Sequence, residues 1–246
     1  MASDGAVLLG DTKVIDADTH TVTFRKKMSQ DFYPIVLAPS GSTILSNKFR
    51  QEAHRAILER ARTLNEASPP MTSGAMTIIP AKESQSSIDF LAYLKDLEAI
   101  TERTNAEYAG RVHSDFDVLV ATQSVGRGAG LFYIYPDGVS SQIDTYRAIG
   151  TGAPHGSLFL KKFWRQDMSM LEVARLGFFV LRLIERFELD VNVGTDPWPQ
   201  IWFVPNKGEV HEEDFSLLES FQRFADERLA KLDFELLTML GPTFWG

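Results

Sequence analysis

The chain has 246 residues, 44% of them apolar, which suits one large domain with a real core. Its net charge is −8 at pH 7 and it has no dense Lys/Arg stripe, which argues against nucleic acid as a partner. The absence of cysteine removes a disulfide framework, a cysteine-ligated zinc site and a cysteine nucleophile, and fits a reducing compartment. The opening MASDGAVLLGD has neither the basic flank nor the long apolar stretch of a signal peptide. The most apolar segment, 171–187, is broken by Glu172, Arg175, Arg182, Glu185 and Arg186. A soluble cytoplasmic protein with no membrane span is the expectation.

Residues 6–15 (AVLLGDTKVI) are apolar and β-branched, and 21–27 alternate. Asp16-Ala17-Asp18 between them signals a turn, so a hairpin is predicted. A third strand is predicted over 32–38, ended by Pro39-Ser40-Gly41-Ser42. Phe49, Ala53, Ile57, Ala61 and Leu64 form one apolar stripe at helical spacing. A second helix is predicted over 87–109, with Ser-Ile-Asp at its start and Leu91, Leu94, Leu97 and Ile100 on one face. Between the two helices, 65–86 is rich in Pro, Ser and Thr and reads as an inserted loop.

Strands are expected over 117–125, 131–135 and 139–143, with the Gly126, Gly128 and Gly130 run as a hairpin loop and Pro136-Asp137-Gly138 as a turn. Helices are expected over 157–164 and 169–188. The few charges of the second form one narrow stripe, so most of its surface should be buried. A strand over 200–204, a turn at 205–208 and a helix over 215–240 close the chain. Strands and helices thus come in blocks joined by hairpins, which favours antiparallel sheets packed with helix pairs over a parallel βαβ sheet. No repeat or linker divides the chain, so 1–246 reads as a single domain.

No motif here calls for a cofactor. Gly150, Gly152 and Gly156 are spaced one residue too long for a dinucleotide fingerprint, and a tight turn is the better reading. The histidines, His20, His54, His113, His155 and His211, are scattered with no metal-binding spacing. No G-x-S-x-G elbow is present. Trp198 and Trp202 alternate poorly with a half-exposed strand, so one of them is expected to face a partner subunit.

Several stretches, in order, resemble the 20S proteasome α/β subunit family of N-terminal-nucleophile hydrolases. They are DGAVLLGDTK, VLAPSGST, FYIYPDGVSSQIDTYRAIGTGAP, DMSMLEVARLGFFVLRLI and LDVNVGTDPWPQIWFV, and together they cover roughly 4–50 and 114–215. The resemblance implies an α+β fold, a four-layer αββα sandwich, and assembly as a homo-oligomer or with related subunits. It implies a threonine-type peptidase or amidohydrolase acting on peptide or protein. In that chemistry an N-terminal residue supplies both the attacking hydroxyl and the proton-moving amine. By the resemblance, Asp11 and Lys27 are the supporting aspartate and lysine, Asp190 is a second supporting aspartate, and Thr151 keeps the hydroxyl of the glycine-flanked turn. Val193 falls where the family carries a supporting serine, and so lacks its hydroxyl. About six residues of the family precede the position matching Met1, so the expectation is that this chain starts after the nucleophile. Neither Met1 nor Ala2 replaces it. The alternative is a non-catalytic ring or scaffold subunit.

Overall fold

The computed structural model describes residues 1–11, 13–15, 22–24, 26–67, 89–109, 116–124, 128–187, 189–190, 192–195, 198–213 and 215–240. The predicted turn at 16–18, most of the 65–86 insertion, His20 and His113 lie outside these.

The chain is a mixed α+β protein in which every strand pairing among the described residues is antiparallel. Strands β1 (Gly5–Gly10), β2 (Lys13–Ile15), β3 (Val22–Phe24), β4 (Ser29–Phe32) and β5 (Ile35–Pro39) lead into helices α1 (Thr43–Ala67) and α2 (Phe90–Tyr108). Strands β6 (Val118–Ser124), β7 (Gly128–Ile134) and β8 (Ser140–Gln142) follow, then helices α3 (Ala153–Phe163) and α4 (Met170–Arg186). Strands β9 (Gln200–Pro205) and β10 (His211–Glu212) and helix α5 (Phe215–Leu240) complete the order. Two larger sheets run β1-β9-β10 and β4-β5-β6-β7-β8, and β2-β3 is a separate ribbon.

The inner strands of the two larger sheets, β5, β6 and β7 in one and β1 and β9 in the other, place apolar residues on both faces, because each face packs against another layer. In the five-stranded sheet Ile35, Leu37, Val118, Val120 and Ile134 pack against Phe49, Ala53, Ile57, Leu94, Leu97 and Ile100 of α1 and α2. The alternate residues Val36, Ala38, Leu119, Ala121, Leu131 and Tyr133 share a second cluster with Ala6, Leu8, Trp202 and Val204 of the three-stranded sheet. The other face of that sheet, Val7, Leu9, Ile201 and Phe203, meets Phe178 of α4 and Phe221 and Ala225 of α5. This period-two division of one strand between two clusters is what the pleat dictates.

Several sequence expectations need correcting here. The apolar run 6–15 is two strands in different sheets, broken at Asp11. The predicted strand at 32–38 is a β4–β5 hairpin turned at a cis Tyr33–Pro34 bond. The expected hairpin partner of residues 13–15 is confirmed as β3, with Lys13 opposite Phe24. Leu91 is 58% exposed, and Tyr93 takes its place in the buried stripe. At 100° per residue, Leu91 lies half a turn around the helix from Ile100, so three successive steps of three cannot stay on one face. Helix α4 is less enclosed than expected: Ala174, Phe178, Val180, Leu183 and Ile184 are buried, and Leu171 stays 43% exposed. Trp202 is buried between the sheets, and Trp198 is half-buried against the α4–α5 cluster.

Candidate functional site

Asp11 leaves the end of β1 and Lys27 precedes β4, and the fold brings them together across sixteen residues. Lys27 Nζ donates to Asp11 Oδ1 at 2.6 Å. The side chains are 17% exposed for Asp11 and 32% for Lys27, so the pair is partly desolvated and its charge-assisted hydrogen bond is stronger than that of a surface pair. It lies at the far end of β1 from the amino terminus. Burial pushes the Asp11 carboxyl up from its ordinary range. Lys27 and a backbone hydrogen bond from Gly194 pull it down, and the nearby charge of Asp190 adds a smaller upward push.

Three elements hold this pair in place. From β9, Gln200 Oε1 accepts from the Met28 N–H at 2.8 Å and Gln200 Nε2 donates to the Met28 carbonyl at 3.0 Å. From α1, Arg50 donates to the Lys27 carbonyl. From the loop after α4, Gly194 approaches so closely that a Cβ there would lie 2.7 Å from Lys13 Cδ. That loop is itself tied down: the Thr195 hydroxyl donates to Glu185 at 2.5 Å and accepts from Arg182 at 3.0 Å.

Asp190 acts on Asp11 through its charge, and Thr151 sits in the turn next to Gly152, which Asp190 faces. Asp190 Oδ1 accepts from the Asn192 backbone N–H at 2.8 Å and from the Asn192 side chain at 3.0 Å, closing a local turn. Its other oxygen faces Gly152, where a Cβ would meet it at 3.9 Å. Thr151 is exposed, in a turn opened by Gly150 at φ +86° and leading into α3. Val193, where the resemblance lost a hydroxyl, is buried with Val180 and Ile184, and a Cβ at Gly152 would lie 2.7 Å from its Cγ2.

The arrangement can place a lysine charge beside a nucleophile or a developing oxyanion, with Asp11 holding that charge in place. The amine of Met1 is elsewhere: it donates to the Thr145 carbonyl, and the Met1 carbonyl accepts from Trp164 Nε1 at 3.1 Å. At about 3.3 Å per residue, the six residues of β1 set the strand's two ends about 17 Å apart. Among the described residues no three His, Asp or Glu side chains gather to hold a metal ion. A hollow of about 550 Å³ between α1 and α2, lined by Glu52, Arg55, Arg60, Asp96 and Arg103 among others, contains none of these residues. No described helix is long and apolar enough to cross a membrane.

Sequence reasoning missed Gln200, Gly194 and Arg50. Gln200 carried one usable signal, a lone amide at the head of the apolar run QIWFVP, since a polar side chain buried there needs a partner. Gly194 and Arg50 carried none.

No protein-family model matches the sequence, and no curated protein matches it. Solved structures do match. Anbu from Hyphomicrobium sp. strain MC1 is 15% identical over 94% of this chain and 93% of that one, with a TM-score of 0.65. Anbu (ancestral beta-subunit) from Yersinia bercovieri is 15% identical over 96% and 94%, with a TM-score of 0.66. An Anbu (Gly-1) mutant from the Hyphomicrobium strain is 18% identical over 94% and 93%, with a TM-score of 0.63. At these identities the likeness is one of fold. The assignment to the 20S proteasome α/β family is therefore corrected: no family model or curated protein supports it, and what the chain shares with solved structures is the fold of Anbu, a proteasome-related ancestral beta-subunit.

Proposed function

We propose that this chain is a single-domain, four-layer αββα subunit of Anbu type whose Asp11–Lys27 pair serves an N-terminal-nucleophile amidohydrolase reaction on peptides. The observation that carries this reading is the partly buried Lys27–Asp11 hydrogen bond of 2.6 Å, held by three elements. Lys27 supplies positive charge to a hydroxyl or thiol presented with a free amine, Asp11 orients Lys27, and Asp190 and Thr151 line the approach. A second reading, a non-catalytic ring or scaffold subunit, is favoured by Val193 in the core.

One experiment separates the two. A version extended by about six residues and processed to begin with threonine is compared with one processed to begin with alanine. The extended protein is expected to turn over peptides and to be labelled at its N-terminus by a threonine-directed electrophile, with both lost in Lys27→Ala. The same protein begun with alanine is expected to do neither, since removing a covalent nucleophile costs about a millionfold in rate. An extended protein that is folded but inert removes the hydrolase reading and leaves the scaffold one.

A further inference from the structure

We propose that Gln200 is a positioning residue for the Asp11–Lys27 pair, its side-chain amide fixing the separation of the strand that carries Asp11 from the segment that carries Lys27. The inference rests on reading that pair as the site, and it adds a residue that neither motif nor resemblance assigned.

The route between the two charges is short. In the β1–β9 ladder Gln200 is opposite Gly10, the residue before Asp11. The same Gln200 spends its whole side-chain amide on Met28, the residue after Lys27, accepting from its N–H at 2.8 Å and donating to its carbonyl at 3.0 Å. A side chain thus imitates one rung of an antiparallel ladder between two segments that share no backbone pairing. Gln200 is 4% exposed and Met28 is equally buried. The Met28 side chain also lies against Gly10, where a Cβ would stand 3.5 Å from Met28 Cε. Residues 26–28 belong to no strand, so the Lys27 backbone depends on Gln200 on one side and on Arg50 at its own carbonyl on the other.

A leucine of similar volume would fill this place in an apolar core. It would also leave the N–H and the carbonyl of Met28 without those partners in a dry environment, a penalty well above the net worth of the bonds themselves. The amide is therefore suited to fixing one geometry, which a packed apolar residue would not do. The other charged groups around the pair come from separate elements: Asp190 and the Gly194 amide from the loop after α4, Lys13 against Gly194 from β2, and Arg50 from α1. None of them bridges Gly10 to Met28.

The test reads the pair directly, by NMR titration of the Asp11 carboxyl and hydrogen exchange of the Met28 amide in the folded 246-residue protein. In Gln200→Leu, Asp11 is expected to titrate higher than in wild type, because the lowering pull of Lys27 weakens. The Met28 amide is expected to exchange on the order of tenfold faster, from the loss of one side-chain hydrogen bond. Gln200→Asn keeps an amide too short to reach both Met28 groups. It is expected to move both readings the same way, and it serves if Gln200→Leu does not fold. Leu218→Ala, in the cluster on the opposite face of the three-stranded sheet from Met28, is expected to lower stability and leave Asp11 where it was. An unmoved Asp11 in a folded Gln200 variant, or an equal movement in Leu218→Ala, overturns the proposal. Because neither reading uses peptide turnover, an inert extended chain whose Asp11 still responds to Gln200 removes the hydrolase reading alone.

Discussion

Asp11 is the residue at which burial and pairing pull in opposite directions, and burial prevails. A carboxyl whose folded-state pKa is raised binds its proton more tightly in the folded protein. The stabilisation this gives is complete below the unfolded value and is lost as pH rises through the folded one. Wild type should therefore lose stability relative to Asp11→Asn as pH climbs from the ordinary carboxyl value of 3.8, with the gap constant once Asp11 is fully ionised. Urea midpoints of the two proteins across pH check this, and a gap that moves the other way contradicts it. A second prediction concerns the joint between the Thr151 turn and the loop after α4. In Gly152→Ala the new Cβ meets Val193 Cγ2 at 2.7 Å, an overpacking expected to cost about 1–3 kcal/mol. Val193→Ala removes the obstacle, so the double variant should be more stable than the two single losses added together. Simple additivity in chemical denaturation would show that the two loops do not press on each other. At this scale the sequence was half legible. Asp11 and Lys27 carried motif positions and came together. Asp190 and Thr151 came only near, because their motif says which loop they sit on and not which way each side chain turns. Gln200, Gly194 and Arg50 act through contacts formed by distant segments, which local pattern does not encode.

At the scale of elements, helices were read more accurately than strands. The stripe Phe49, Ala53, Ile57 is fully buried in α1, because a repeat of four keeps nearly to one face. Strand β4, SQDF, passed unnoticed because it is a polar edge strand, and β10 because two residues make no pattern. Asp11 was visible as a polar interruption, but only tertiary pairing with Lys27 tells that the chain changes sheets there. Helix α4 has a start signal that was legible in DMSMLE. The Ser169 hydroxyl accepts from the Glu172 N–H at 3.3 Å, and the Glu172 carboxylate accepts from the Ser169 N–H at 2.8 Å, a reciprocal capping box. Asp4 adds a third partner, accepting from the Met170 N–H at 2.7 Å, and so ties the helix to the chain's first residues. Ser169→Ala should cost about 1 kcal/mol, read as a lower urea midpoint with the same slope. A loss much smaller than that would mean that Asp4 alone satisfies the helix start.

For the whole molecule the outer helices differ in what they offer a neighbour. The α1–α2 face is laced with ion pairs, Lys48–Glu107, Arg60–Asp96, Arg103–Glu52 and Lys95–Glu98. Such pairs suit a solvated surface and add little to stability when exposed. Helix α3 takes part in none of these pairs. It turns Phe159 and Leu160 toward the cluster it shares with α4, yet leaves Leu158 63% and Phe163 43% exposed. Leu171 at the start of α4 is exposed too. Apolar side chains left open on neighbouring elements mark a surface that associates. If the chain assembles with copies of itself, the α3–α4 side is the contact expected to carry it. Light scattering of the wild-type protein at high concentration should then report a mass above 27.6 kDa. Leu158→Asp should shift that mass toward the monomer while the circular dichroism stays native, because an exposed helix position tolerates the change when no partner covers it. An equivalent charge on the opposite side, Leu58→Asp on α1, replaces a side chain that is 52% exposed and should leave the mass unaltered. A wild-type protein that stays monomeric at every concentration would remove self-assembly from the reading. An assembly that responds to Leu58→Asp and not to Leu158→Asp would move the contact to the charged helix pair.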